Sequence, residues 1–259
     1  MTDLLHRVLI TIFAFVTILW TNTLEHAEAQ TPTQVDVELV LAVDVSNSMD
    51  SEERILQRKG YEVAFRHPDI ITTIKSGLLG RIAVTYIEWA DRGRQHVTVP
   101  WMLIEDKGDA EAFADRLAQE RLLRMRRTAI DDALLFSASL FGHNHFSGLR
   151  RVIDISGDGP SNEGGDVSKA RDAVLQEGII INGLPILLKK ETHDEKLDLY
   201  YEDCVIGGPG SFIVAVRKTE EFVKAIRQKI LLEIASATPK IWHAQLQYRR
   251  APRVSCSAK

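Results

Sequence analysis

The chain has 259 residues, a formal net charge of −4, 45% hydrophobic residues and 26% charged residues. That length holds one domain or two small ones, and the composition excludes a disordered chain. Acids and bases nearly balance, so no basic field supports nucleic-acid binding.

The amino terminus differs from the rest. Residues 8–20 form an apolar run broken only by Thr11 and Thr17, behind a short head with Asp3 and Arg7. At about 13 residues the run falls short of the roughly 20 that a membrane-spanning helix needs. Ala27-Glu28-Ala29 follows it as an A-x-A cleavage pattern. A signal peptide over residues 1–29 is expected, with a mature chain from Gln30 that is periplasmic or secreted and has no membrane span. The alternative is an uncleaved anchor.

Residues 30–36 read as a lead-in. Residues 37–43 are a short apolar, β-branched run, as a buried parallel strand requires. Residues 51–67 have helical spacing, with Ile55, Tyr61 or Leu56, Val63 and Phe65 recurring between charges. Residues 81–90 and 95–101 read as strands joined by the turn Asp91-Arg92-Gly93-Arg94. Residues 109–122 form an amphipathic helix and residues 129–141 a more buried one. A strand at 151–156 ends on Gly157-Asp158-Gly159-Pro160. A helix at 167–176, a strand at 179–188, a short helix at 194–204 and a strand at 212–216 follow. A long helix at 219–235 starts on Thr219 as a cap. The domain therefore runs from 37 to 235, and residues 236–259 are a polar tail. Alternating strands and helices predict an α/β fold: a doubly wound, mostly parallel sheet with helices on both faces and one antiparallel edge strand, 95–101.

In such folds ligands bind beyond the carboxyl ends of the strands. Three places there share one chemistry. Asp44-Val45-Ser46-Asn47-Ser48 follows the first strand, and alternation puts Asp44, Ser46 and Ser48 on one side if the chain stays extended. Thr128 precedes the buried helix, and Asp158 follows the strand 151–156. Two carboxylates and three hydroxyls are hard oxygen ligands that suit Mg²⁺ or Mn²⁺ over zinc. Neutral hydroxyls leave the cation much of its charge, so it can take an acidic side chain from another protein. Each element also has a plainer reading. Ser48 and Asp50 are good helix caps, Asp50-x-x-Glu53 is a capping box, Thr128-x-x-Asp131 is a capping pattern and Asp158-Gly159 is a turn. The ordered set of three strand-end positions favours the metal.

The set Asp44, Ser46, Ser48, Thr128 and Asp158 resembles the metal-ion-dependent adhesion site of von Willebrand factor A domains, over about residues 35–235. The resemblance implies direct ligation by Ser46, Ser48 and Thr128, with Asp44 and Asp158 bound directly or through water. Residues 83–89, Val99-Pro100-Trp101 and 204–210 resemble an uncharacterised bacterial branch of that superfamily, known only as a domain of unknown function. Arg126-Arg127 before Thr128 departs from the usual small residues and would weaken cation binding by screening the carboxylates.

Other features are weaker. His143-Asn144-His145 lacks a third ligand and reads as a polar loop. Gly207-Gly208-Pro209-Gly210 lacks the phosphate-loop pattern and reads as a turn. Glu88-Trp89 either lines the metal rim or belongs to the core. Export permits a Cys204–Cys256 disulfide, and two free thiols are equally compatible. The expected function is a metal-dependent protein-binding module, not an enzyme, whose partner offers a carboxylate. The alternatives are a metal-dependent hydrolase on the same sheet and a structural domain with an empty site. For the hydrolase, Ser46 is a candidate nucleophile, but no histidine lies near the three strand ends in sequence, and no G-x-S-x-G elbow occurs.

Overall fold

In the computed structural model, residues 31–188, 196–235 and 253–257 are described. The long apolar stretch of β1 (Thr33–Asp44) becomes the centre of a five-stranded sheet. It is followed by α1 (Ser51–Phe65), α2 (Pro68–Lys75), β2 (Ile82–Trp89), β3 (Gln95–Ile104), α3 (Lys107–Gln119) and α4 (Ile130–Ser139). Then come β4 (Phe146–Gly157), α5 (Val167–Gln176), β5 (Ile179–Pro185), α6 (Leu197–Tyr200) and α7 (Phe222–Ala235). The sheet order is β3-β2-β1-β4-β5. β1 runs parallel to β2 and β4, β4 is parallel to β5, and β3 is antiparallel to β2 at the edge.

Both faces of β1 are covered, which is why its sequence is continuously apolar and does not alternate. Val37, Leu39, Leu41 and Val43 pack on one side with Tyr61, Phe65, Phe113 and Ile226 of α1, α3 and α7. Val40 and Ala42 pack on the other with Ile130 and Leu134 of α4 and Val174 of α5. Each such aliphatic side chain contributes roughly 1.5–3 kcal/mol when fully buried. β1 begins at Thr33, earlier than its apolar run, because residues 33–35 pair with residues 146–148 of β4.

Several local expectations change. Ile55 and Val63 of α1 are exposed, and the buried face carries Gln57, Arg58, Gly60 and Tyr61 instead. The buried polar residues there have partners across the interior: Gln57 Nε2 donates to Ser156 Oγ at 2.8 Å, and Arg58 pairs with Glu88. Gly60 lets α1 approach α7, since a Cβ there would lie 2.4 Å from Ile226 Cδ1. Residues 212–216 form only isolated bridges beside β5. The expected helix at 194–204 is a short α-turn, α6, continued by a π-helical turn, Tyr201–Val205, and residues 194–195 lie outside the described residues. Thr219 opens a 3-10 turn, Thr219–Glu221, ahead of α7 and makes no side-chain cap. Trp89 is fully buried in the core, not on a rim.

Cys204 and Cys256 form a disulfide, with their Cα atoms 5.3 Å apart. The chain end is held further by Val167 N–H donating to Cys256 O at 3.3 Å and by Arg253 pairing with Glu202 and Asp203. Most of the expected tail, and the whole expected signal peptide, lie outside the described residues. Among the described residues no helix is long and apolar enough to cross a membrane.

Candidate metal site

β1 leaves the sheet between β2 and β4, and the connections on its two sides diverge to opposite faces. This topological switch point opens a crevice at its carboxyl end. Val43 pairs with Ser156, so Asp44 comes level with Gly157 and Asp158 follows immediately. After Asp44 the chain turns instead of staying extended, with Met49 N–H donating to Ser46 O at 3.2 Å. The turn still gathers the side chains. Ser46 N–H donates to Asp44 Oδ1 at 2.7 Å, the Ser46 and Ser48 hydroxyls lie 2.8 Å apart, and Ser48 Oγ donates to Asp158 Oδ1 at 2.5 Å.

Asp44 and Ser46 are fully buried, Thr128 nearly so, and Ser48 is exposed, so the group has a closed floor and an open mouth. Asp44 Oδ2 is buried with no hydrogen-bond partner among the described residues. Burial pushes the Asp44 carboxyl up to about 8, and the nearby Asp158 charge adds to the rise, while the Ser46 hydrogen bonds pull against it. An orphaned buried carboxylate oxygen beside a second carboxylate and two hydroxyls fits a hard divalent cation. Among the described residues no group of three or more His, Cys, Asp or Glu side chains is disposed to hold a metal, so a cation here needs the hydroxyls as well.

Thr128 reaches this edge by backbone stitching. Met125 N–H donates to Val45 O at 3.0 Å and Asn47 N–H to Arg126 O at 3.4 Å. On the other side Thr128 N–H donates to Asn162 Oδ1 at 3.0 Å, and Asn162 N–H returns a bond to Thr128 O at 2.9 Å. The segment before α4 is thereby tied to both the loop after β1 and the loop after β4. The capping reading of Thr128 does not hold. The N-cap of α4 is Ala129 with no side-chain bond, and Asp131 Oδ2 accepts from Gly165 N–H at 2.6 Å. The reading of Asp50-Glu53 as a capping box on α1 does hold.

The remaining candidates settle into structural roles. His143 Nδ1 lies 2.8 Å from Ser139 O, and Asn144 Nδ2 donates to Glu38 Oε2 at 2.8 Å. Gly208 and Gly210 take positive φ, 97° and 73°, in a turn. Glu88 is drawn inward to Arg58, which also donates to Leu117 O and Glu120 O at the end of α3.

Two contributors to the site were not read from the sequence. Gly157 is one: a Cβ there would sit 2.9 Å from both Asp44 Oδ2 and Tyr201 Oη, so only glycine leaves the carboxylate its room. Its place just before Asp158 is the signal, read only as part of a turn. Tyr201 is the other. Its buried hydroxyl faces the same point without a hydrogen-bond partner among the described residues, and nothing local in the sequence marks it.

A central β1 flanked in parallel by β2 and β4, an antiparallel edge at β3, helices on both faces and these residues at the switch point define a von Willebrand factor A fold. Solved structures share it. The von Willebrand factor domain of the type V pili tip protein Mfa5 from Porphyromonas gingivalis matches at TM-score 0.54 and 9% identity, covering 80% of this chain and 97% of that one. A von Willebrand factor type A protein from Catenulispora acidiphila matches at 0.53 and 15%, covering 78% and 43%. Proximal thread matrix protein 1 from the mussel byssus, with a zinc-occupied MIDAS motif, matches at 0.53 and 14%, covering 77% and 46%. The chain thus spans less than half the length of the last two. No curated protein matches the sequence. The model of the family described as protein of unknown function (DUF1194) matches residues 34–238, and the chain belongs to that family.

Proposed function

We propose that this protein is an exported, metal-dependent protein-binding module. It holds Mg²⁺ or Mn²⁺ through Ser46, Ser48 and Thr128, with Asp44 and Asp158 supplying negative charge, and it captures an acidic group of a partner protein. The observation that carries this reading is the buried, unpartnered Asp44 Oδ2 at the floor of a group in which Ser48 and Asp158 reach the surface. A cation there would relieve the crowding of two carboxylates and keep a face open to a ligand. The shared fold with a pilus tip protein and with a byssus matrix protein supports binding over catalysis. The test is calorimetric titration of Mg²⁺, Mn²⁺ and Zn²⁺ into the wild type and Asp44→Ala, followed by capture of envelope proteins with metal and with chelator. Binding of one cation by the wild type alone, with metal-dependent capture, supports the module. Equal cation affinity in both proteins removes the site, and cation binding with phosphoesterase turnover replaces the module with an enzyme.

A further inference from the structure

Five arginines stand on the same edge as the proposed cation. Arg92 and Arg94 lie in the β2–β3 turn, and Arg124, Arg126 and Arg127 lie in the segment before α4; all five are exposed. The two groups are 30 residues or more apart in sequence, and Asp91 joins them. Its Oδ1 accepts from Arg126 N–H at 2.7 Å and Arg127 N–H at 2.5 Å. Ala129 N–H donates to Ala90 O at 2.9 Å beside it. Arg124 Nε donates to Asn47 Oδ1 at 2.9 Å, which brings the set up to the loop that carries Ser46 and Ser48.

Acids are interspersed here, but they are turned toward amides. Asp91 is bound to the two backbone N–H groups, Glu163 Oε2 accepts from Arg92 N–H at 3.2 Å, and Asp132 Oδ2 accepts from Gly93 N–H at 2.6 Å and from Gln95 Nε2 at 2.7 Å. The arginine ion pairs among the described residues are made by Arg58, Arg66, Arg81, Arg171, Arg217 and Arg253, none of them in this set. A guanidinium is a planar fork that takes a carboxylate through two hydrogen bonds.

We propose that these arginines form an anion-binding rim around the cation, and that the partner is an acidic protein segment with several carboxylates. One carboxylate would meet the metal and its neighbours the arginines. This rests on the metal-dependent binding reading above and names the partner class for that site. An acidic peptide fits better than a nucleic acid: the five cations are interleaved with Asp91, Asp132 and Glu163, which breaks up the continuous basic stripe that a phosphate backbone follows.

The test uses the full-length chain and two labelled peptides of equal length in a Gly/Ser background, one with a single Glu and one with four. Anisotropy titrations are run with Mg²⁺ and with chelator, alongside a heparin oligosaccharide and single-stranded DNA. Several exposed arginine–carboxylate pairs, each of modest strength, give the four-Glu peptide about a tenfold advantage. Arg126→Ala/Arg127→Ala and Arg92→Ala/Arg94→Ala should each erase most of that advantage, with Mg²⁺ affinity by calorimetry no weaker than in the wild type. Mg²⁺-dependent binding of both peptides with equal affinity overturns the rim and leaves the metal reading standing. Tight four-Glu binding that survives chelator overturns the joint site. Tighter binding of heparin or DNA than of the four-Glu peptide overturns the acidic-protein partner. Absence of Mg²⁺ heat removes the metal reading and this inference with it.

Discussion

Ser48 donates its hydroxyl hydrogen to Asp158 at 2.5 Å and so joins the chain leaving β1 to the chain leaving β4. Below that bridge Asp44 is sealed from water, and its carboxyl is pushed up to about 8 by burial first and by Asp158 second. Asp44→Asn keeps an acceptor for Ser46 N–H and removes the ionisation. In chelator, we expect Asp44→Asn to unfold at a higher temperature than the wild type at pH 9, where the native carboxyl is charged. The gap should be smaller at pH 6 and close only toward pH 4, because the unfolded Asp44 carboxyl ionises from 3.8 upward while the folded one holds its proton to about 8. Thermal scans across these pH values check this, and a wild type that is the more stable protein at pH 9 contradicts it.

Thr128→Ala should weaken cation binding by an order of magnitude or more while costing less than about 1 kcal/mol of stability, because Thr128 does not cap α4. Asp131→Ala should do the reverse. Its carboxylate is the acceptor for Gly165 N–H, and losing that bond costs about 0.5–1.5 kcal/mol. Urea unfolding and metal titration of the two variants form a pair of crossed measurements. A large stability loss for Thr128→Ala would restore the capping role.

The ion cluster under α7 sets a pH dependence. Lys229, Asp154 and Glu233 are buried together, with Lys229 Nζ 2.6 Å from Asp154 Oδ1 and paired also with Glu233. Burial raises Glu233 from 4.5 to about 8, and the Asp154 charge adds to it, against the pull of Lys229. An acid raised in the folded state holds its proton there while the unfolded chain has lost it, so stability falls as pH climbs from 4.5 to about 8. Asp44 has the same sign in the absence of metal. We expect the chelated wild type to lose stability between pH 5 and pH 8, Glu233→Gln to flatten that slope in part, and Glu233→Gln with Asp44→Asn to flatten it further. A slope untouched by both substitutions would falsify the assignment.

Removing the disulfide should be costly. The bridged cysteines are 52 residues apart, and closing a loop of that length stabilises by up to about 4 kcal/mol in the chain-entropy account. Cys204→Ser/Cys256→Ser, or the wild type in strong reductant, should therefore show a clearly lower midpoint in guanidinium. An unchanged midpoint would mean that the contacts of Arg253 and Cys256 alone hold the chain end.

The sheet was legible because its strands are buried on both faces and so read as continuous apolar runs, as in β1 and β2. The candidate site was legible because Asp44 and Asp158 sit where such runs stop. What was not legible depends on partners distant in sequence. Ile55 and Val63 look like a core stripe until Ser156 and Glu88 arrive to pair with Gln57 and Arg58 on the opposite face. Trp89 ends a strand and still belongs to the interior, because α4 covers it. The arginine rim looks like two unrelated charged stretches until Asp91 ties them together. Cys256 stands in a polar sequence with no signal of its own, and its burial comes from α5 and the turn at Cys204.

The bond between Cys204 and Cys256 also governs what a protease in an oxidising compartment can achieve. Any single cut in the chain between those two positions leaves both halves covalently joined, with the far end still docked on α5 through Val167 and Cys256. Such a nicked molecule would migrate as one species without reductant and as two with it. It would keep the edge that carries Asp44, Thr128 and Asp158, since all three precede the bridged segment.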